Sequence, residues 1–254
     1  MENPALPQRQ NGLCFRQQIG RTHMNIIWLG HGSFRIEIED QVVLIDPWLN
    51  GNPMMPEDGH DAAIQGATHI LVTHGHFDHI TDVVEISKTT GAPVSGMYEL
   101  AQYLAAGGAV EGAAYNIGGT IPLGDNVTAA MVPAMHSSST MDADKPLGLG
   151  RETGFILRGE GHTVYISGDT GIMADMDWIG DFYKPDIGIL SAGGFYTMGM
   201  AEAAYAAKRY FNFKTVIPCH YRTFDALEQS AKVLAEGLPG VNVIEPEVLQ
   251  AISL

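Results

Sequence analysis

Four residues able to bind a metal stand within six positions of one another: His74, His76, Asp78 and His79. Imidazole and carboxylate are the ligands that suit borderline first-row ions such as Zn²⁺. The group follows the apolar run Ile70-Leu71-Val72, which reads as the end of a buried strand. At a strand end alternate residues point the same way, so His74 and His76 can grip one ion. After a bend, for which Gly75 is the small residue, Asp78 and His79 can grip a second. A cluster of this density on an apolar loop is costly to desolvate without a cation.

Three more ligand types stand just past apolar strands. His136 follows 127–133, Asp169 follows 163–167 inside Gly168-Asp169-Thr170-Gly171, and His220 follows 214–218. Taken singly, His136 or His220 is more often a hydrogen-bonded structural residue. Their support comes from the cluster upstream. Cys219, beside His220, reads as a small buried residue at a strand end. Ser137, Ser138 and Ser139 read as turn or hydrogen-bonding groups, because the constellation needs no serine nucleophile.

The elements that must position these residues come from periodicity. Strands are expected at 25–29, 33–39 and 42–45. In the second, Phe34, Ile36 and Ile38 face the core while Arg35, Glu37 and Glu39 face out. A turn-rich loop fills 51–59. Helices are expected at 80–89 and 98–106, and strands at 114–117, 120–123 and 127–133. A loop runs to residue 150, followed by a hairpin of 153–158 with 163–167. The remainder alternates: helix 174–183, strand 186–191, helix 200–211, strand 214–218, helix 225–236 and two short strands. Strands and hairpins, then helices, then the same again, predict a layered α/β sandwich with its chemistry on loops at strand ends. One domain, 24–254, follows a polar N-terminal extension, 1–23, which carries Pro4, Pro7 and three arginines and lacks the apolar segment of a secretory signal.

Charge and cysteine content exclude some classes. With 14 Lys+Arg against 29 Asp+Glu the net charge is −15, which disfavours a nucleic-acid partner. Two cysteines, Cys14 and Cys219, are too few for a disulfide framework, so a reducing, cytoplasmic compartment is expected. No apolar run approaches the ~20 residues of a membrane span, so no stable membrane insertion is expected.

His74-x-His76-x-Asp78-His79 after a strand, with later His136, Asp169 and His220, resembles the metallo-β-lactamase superfamily. The resemblance covers 24–254. More narrowly, Ile27-Trp28-Leu29-Gly30-His31-Gly32-Ser33-Phe34, Leu44-Ile45-Asp46-Pro47, Gly193-Gly194 with Thr197-Met198-Gly199, and Val216-Ile217-Pro218-Cys219-His220-Tyr221 are similar to a subgroup of small bacterial metal-dependent hydrolases. That subgroup is related to ascorbate-6-phosphate lactonase and, more distantly, to the phospholipase D acting on N-acyl phosphatidylethanolamine. The resemblance implies a four-layer αββα sandwich with two divalent ions at one edge. It puts His74, His76 and His136 on the first ion, Asp78, His79 and His220 on the second, and Asp169 between them. Zinc is the first expectation. Mn, Fe, Co or Ni also suit a ligand set without thiolate.

Two such ions share a hydroxide that attacks a small-molecule ester, lactone or amide. Asp78 is then the catalytic residue, orienting the nucleophile and passing a proton to the leaving group. Substrate contacts are expected at His31, Tyr196 and Tyr221, with Arg222 beside them. The alternatives are a phosphodiesterase on phospholipid-like or nucleotide substrates, and a non-catalytic metal-binding scaffold. Relatives often form homo-oligomers, and the same is expected here. Two departures from the subgroup stand out: Phe195 occupies a position usually held by Asn or His, and residues 139–150 form a longer loop that could reshape the pocket mouth.

Overall fold

A computed structural model describes residues 23–254, which form two seven-stranded sheets and a separate hairpin. The first half of the chain lays down β1 (Asn25–Trp28), β2 (Phe34–Ile38), β3 (Gln41–Ile45), α1 (His60–Ile64), β4 (His69–Val72), α2 (Phe77–Ile80), α3 (Val83–Thr90), β5 (Val94–Met97), α4 (Tyr98–Ala106) and β6 (Glu111–Tyr115). The second half supplies β7 (Thr120–Pro122), β8 (Thr128–Pro133), β9 (Ser139–Asp142), β10 (Lys145–Gly148), β11 (Thr153–Gly159) and β12 (His162–Ile166). It continues with α5 (Met176–Tyr183), β13 (Ile187–Ser191), α6 (Met200–Tyr210), β14 (Thr215–Cys219), α7 (Lys232–Gly237) and β15 (Asn242–Val243), before β16 (Ala251–Ser253) returns to the first sheet.

The sheets are ordered β16-β1-β2-β3-β4-β5-β6 and β15-β14-β13-β12-β11-β8-β7. Each is antiparallel through a central hairpin, β2–β3 or β11–β12, and parallel beyond it. Parallel neighbours need crossovers, and α1, α3, α4, α5, α6 and α7 lie in those connections. One continuous apolar core runs through both sheets, from Trp28, Ile36 and Leu44 to Met131, Phe155 and Ile217. The result is the expected four-layer αββα sandwich. Among the described residues no helix is long and apolar enough to cross a membrane. The expected N-terminal extension, with Cys14, lies outside the described residues except for His23.

Several expected elements differ. Arg35 does not face solvent: it is buried, and its guanidinium donates to Ala63 O, Gln65 O and Glu37 Oε1. The unexpected α1 covers that face of β2. Strand β5 was hidden because a parallel strand buried on both faces shows no alternation. Residues 139–150 are mostly hairpin β9–β10, turning at Ala143 and Asp144, both with positive φ (43° and 68°). That is the backbone of a two-residue hairpin turn without the Asn-Gly pair that usually signals it. The helix expected at 225–236 shrinks to α7. Glu228 N–H donates instead to Gly193 O (2.9 Å), and Glu228 O accepts from Arg222 N–H (2.9 Å), so tertiary bonds replace the helical ladder.

Candidate metal centre

The centre sits where the two sheets are pinned together. Thr73 ends β4, and its carbonyl accepts from both Thr153 N–H (3.0 Å) and Thr153 Oγ1 (2.8 Å) at the start of β11. Its own N–H and hydroxyl donate to Asp46, at the end of β3 (2.7 and 2.5 Å). The chain from Thr73 is thus fixed before the first ligand. Gly75 lies under Leu149, whose Cδ1 would be 2.8 Å from an added Cβ, so close packing rather than a special bend calls for glycine there. Phe77 to Ile80 then close a helical turn, which swings Asp78 and His79 away from His76.

Two groups of donors result. His74 Nε2 and His136 Nε2 lie 3.0 and 3.2 Å from His76 Nδ1. The second group gathers Asp78, His79 and His220, with His31 behind them. Asp169, from the end of β12, joins the two. Its Oδ2 lies 3.0 Å from His220 Nε2, 3.5 Å from His79 Nε2, 3.7 Å from His136 Nε2 and 3.8 Å from His74 Nε2. All seven residues expected to bind metal therefore converge.

The donor set fits a cation. Asp169 is buried, and its ion-pair partners among the described residues are imidazoles, with no lysine or arginine. Imidazole nitrogens face one another at hydrogen-bond distance, where lone pairs repel unless a proton or metal lies between. His79 Nε2 is buried at 3.5–3.6 Å from Asp169 and Asp78, too far for a good hydrogen bond. The electrostatics agree. Burial acts to lower His220, but the Asp169 carboxylate, 3.0 Å away, and the nearby Asp78 push it up to about 9. Burial likewise opposes the charge on Asp169, yet His220 and His79 hold it well below the usual carboxylate range.

A further layer orients the ligands, and the sequence alone did not reveal it. Asp46 Oδ2 accepts from His79 Nδ1 (2.8 Å), which leaves His79 Nε2 for the centre. The available signal was that Asp46, like Asp169, is a carboxylate just past a strand. His31 Nε2 contacts Asp78 Oδ2 (2.8 Å), and its Nδ1 contacts Thr223 Oγ1 (2.8 Å). Burial pushes His31 down to about 4, so the ring is neutral at pH 7. Nε2–H then donates to Asp78, and Nδ1 accepts from the Thr223 hydroxyl. His31 and His220 both adopt positive φ (52° and 58°), and His220 N–H donates to His31 O (2.9 Å). Gly193 permits this packing, since an added Cβ would meet His220 O at 1.9 Å.

A cavity of about 760 Å³ opens over the centre, with Asp78, Asp169 and His220 among its lining residues. Tyr196 lines it. His31 and Tyr221 do not: both are fully buried. His31 lies beneath Asp78, and Tyr221 stacks on Trp28 with ring centroids 5.6 Å apart. Neither is placed to touch a substrate, which corrects that expectation. Phe195 is solvent-exposed and packs edge-on against Tyr196 (4.8 Å).

Residues 41–221 match the beta-lactamase superfamily domain. The UPF0173 metal-dependent hydrolase of Roseobacter denitrificans is 65% identical over 230 residues, which cover 90% of this chain and 99% of that protein. Its counterpart in Ruegeria pomeroyi is 62% identical, covering 91% and 100%. Among solved structures, Igni18, a metallo hydrolase from the hyperthermophilic archaeon Ignicoccus hospitalis, is similar with a TM-score of 0.79 and 31% identity, covering 91% of this chain and 98% of that one.

Proposed function

The chain belongs to the beta-lactamase superfamily and is a metal-dependent hydrolase; from that premise we propose that it uses two divalent ions, zinc foremost, to hydrolyse an ester, lactone or amide bond of a small molecule. The observation that carries the two-ion reading is the position of Asp169 Oδ2, within 3.8 Å of imidazole nitrogens from both donor groups. His74, His76 and His136 would hold one ion, Asp78, His79 and His220 the other, with Asp169 shared. Divalent ions held there supply Lewis acidity and bring the pKa of water down towards ~7.

The protein's own residues do the rest. Burial opposes ionisation of Asp78, but the charge of His79, the nearby His220 ring and the hydrogen bond from His31 hold its carboxyl well below the usual range. It is therefore an acceptor at neutral pH. The neutral His31 ring, anchored by Thr223, fixes the direction in which Asp78 Oδ2 points. Asp78 lines the cavity and is the residue placed to orient the nucleophile and hand a proton to the leaving group. Asp46, accepting from His79 Nδ1, fixes the direction of the His79 ring.

Chelation followed by reloading with Zn²⁺ or Mn²⁺ tests this reading on a panel of lactones, esters and amides. Turnover that vanishes on chelation and returns on reloading is the expected result. A reloaded protein that leaves the panel intact while cleaving bis-p-nitrophenyl phosphate contradicts it in favour of phosphodiesters.

A further inference from the structure

We propose that the cavity over the metal centre selects an uncharged substrate with an apolar end; this rests on the hydrolase reading above and assigns that site its substrate class. Phe77 and Phe224 line the cavity and both pack against Trp48, with ring centroids 5.7 and 6.3 Å from it. Trp48 is buried, and its Nε1 donates to Asn50 O (2.9 Å). The next two backbone N–H groups, of Leu49 and Asn50, both donate to Asp82 Oδ2 (2.7 and 2.8 Å). The aromatic wall is therefore rigid before any substrate arrives. Yet Phe77 is 62% exposed and Phe224 37%, so each keeps an apolar face open beside the reactive floor. Apolar surface left uncovered in such a place marks a binding site.

Apart from the residues of the metal centre, the rest of the lining is Ser137, Ser139, Thr140, Met141 and Tyr196, side chains that carry no formal charge. Ser137, Ser139 and Thr140 bring three hydroxyls from the end of β8 and from β9. Among the described residues no lysine or arginine lines the cavity, and its carboxylates, Asp78 and Asp169, belong to the metal centre. An anionic group carried away from the reacting bond would lose water without gaining a counter-charge, in a chain of net charge −15. Phosphate recognition draws on arginine or lysine, and the described lining supplies neither. The geometry points to a neutral ester, lactone or amide. Its alkyl or aryl end lies on Phe77 and Phe224, and its polar end meets the hydroxyls.

The test is a series of esters of rising alkyl length, each ending in either a methyl or a carboxylate. In the wild-type protein kcat/KM is expected to rise about four-fold per methylene until the wall is covered. The carboxylate-ended member should fall about ten-fold or more below its neutral twin. Phe77→Ala and Phe224→Ala, at solvent-facing positions, should flatten the length dependence. Met141→Lys, at the exposed rim, should recover about five-fold for the carboxylate series relative to the neutral one. Equal or better turnover of carboxylate-ended esters by the wild type, or a length dependence that survives both Phe→Ala changes, overturns the proposal.

If no ester is cleaved, the reaction assigned above fails, and binding alone decides the cavity. Calorimetric titration of neutral 4-alkylbenzamides should then show about four-fold tighter binding per methylene in the wild type, and none of that gain in Phe224→Ala. Tighter binding of the counterparts with a terminal carboxylate, or no binding of the neutral series, overturns it.

Discussion

The two halves of the molecule each end a central hairpin on an aspartate, and the two aspartates do different work. Asp46 follows β3 and Asp169 follows β12, both where the sheet turns from antiparallel to parallel pairing. Both are buried. Asp46 is enclosed by protein donors: the N–H and hydroxyl of Thr73 and Nδ1 of His79. Burial pushes its carboxyl up in spite of His79 and Thr73. Among the described residues the ion-pair partners of Asp169 are imidazoles, and against the same burial they hold it far down. A carboxylate whose donors are all supplied orients its neighbours; one that faces lone pairs is a place for a cation. The next strand in each half sharpens the contrast. β4 is followed by His74, His76, Asp78 and His79, whereas β13 is followed by Ala192, Gly193 and Gly194. The sheets repeat a plan that the chemistry does not.

Substitutions can break that contrast. The largest effect is expected from Asp169→Asn, which loses the contact common to both donor groups. Hydrolysis should fall on the order of a thousand-fold or more, with metal loosened at both positions. Asp46→Asn should cost about 10- to 100-fold in metal affinity or activity, the range for a group that orients a ligand without touching the ion. If the two variants are equally damaged in turnover and metal content, the distinction between the aspartates is wrong. Thr153→Ala removes one hydrogen bond from the seam between the sheets. It should lower stability by about 1 kcal/mol in denaturant titration, because Thr153 N–H still donates to Thr73 O.

The smallest effect lies far from the centre and sets a baseline. Burial tends to raise Asp186, but Thr163 N–H, His162 and Lys214 hold it below its ordinary value. A depressed carboxyl contributes stability that is complete above the unfolded pKa of about 3.9 and is lost as pH falls through the folded value. Asp186→Asn should therefore lower the thermal midpoint at pH 6 and converge on the wild type under acid conditions. A constant gap at all pH values would show that the ion pair is not its source.

The centre was legible in the sequence because its ligands are either adjacent, as in His74 to His79, or stand directly after apolar runs, as His136, Asp169 and His220 do. The fold was legible for the same reason, since hairpins and crossovers show in periodicity. What could not be read depends on contacts between segments. Asp46 gains its role from Thr73 and His79 across the β3–β4 pair. Tyr221 belongs to the core through its stacking on Trp28, a residue far away in the chain. The aromatic wall needs Trp48, Phe77 and Phe224 to meet from three separate segments. Residues 225–231 leave the helix because Glu228 bonds to Gly193 and Arg222.

The most direct test of the account is the metal content per chain of the wild type beside His136→Ala, His220→Ala and Asp169→Ala, measured by elemental analysis after gel filtration. The predicted result is about two ions in the wild type, about one in each histidine variant, and less than one in Asp169→Ala. A wild type that holds a single ion, or an Asp169→Ala protein that still holds two, would contradict the claim that Asp169 joins two donor groups into one centre.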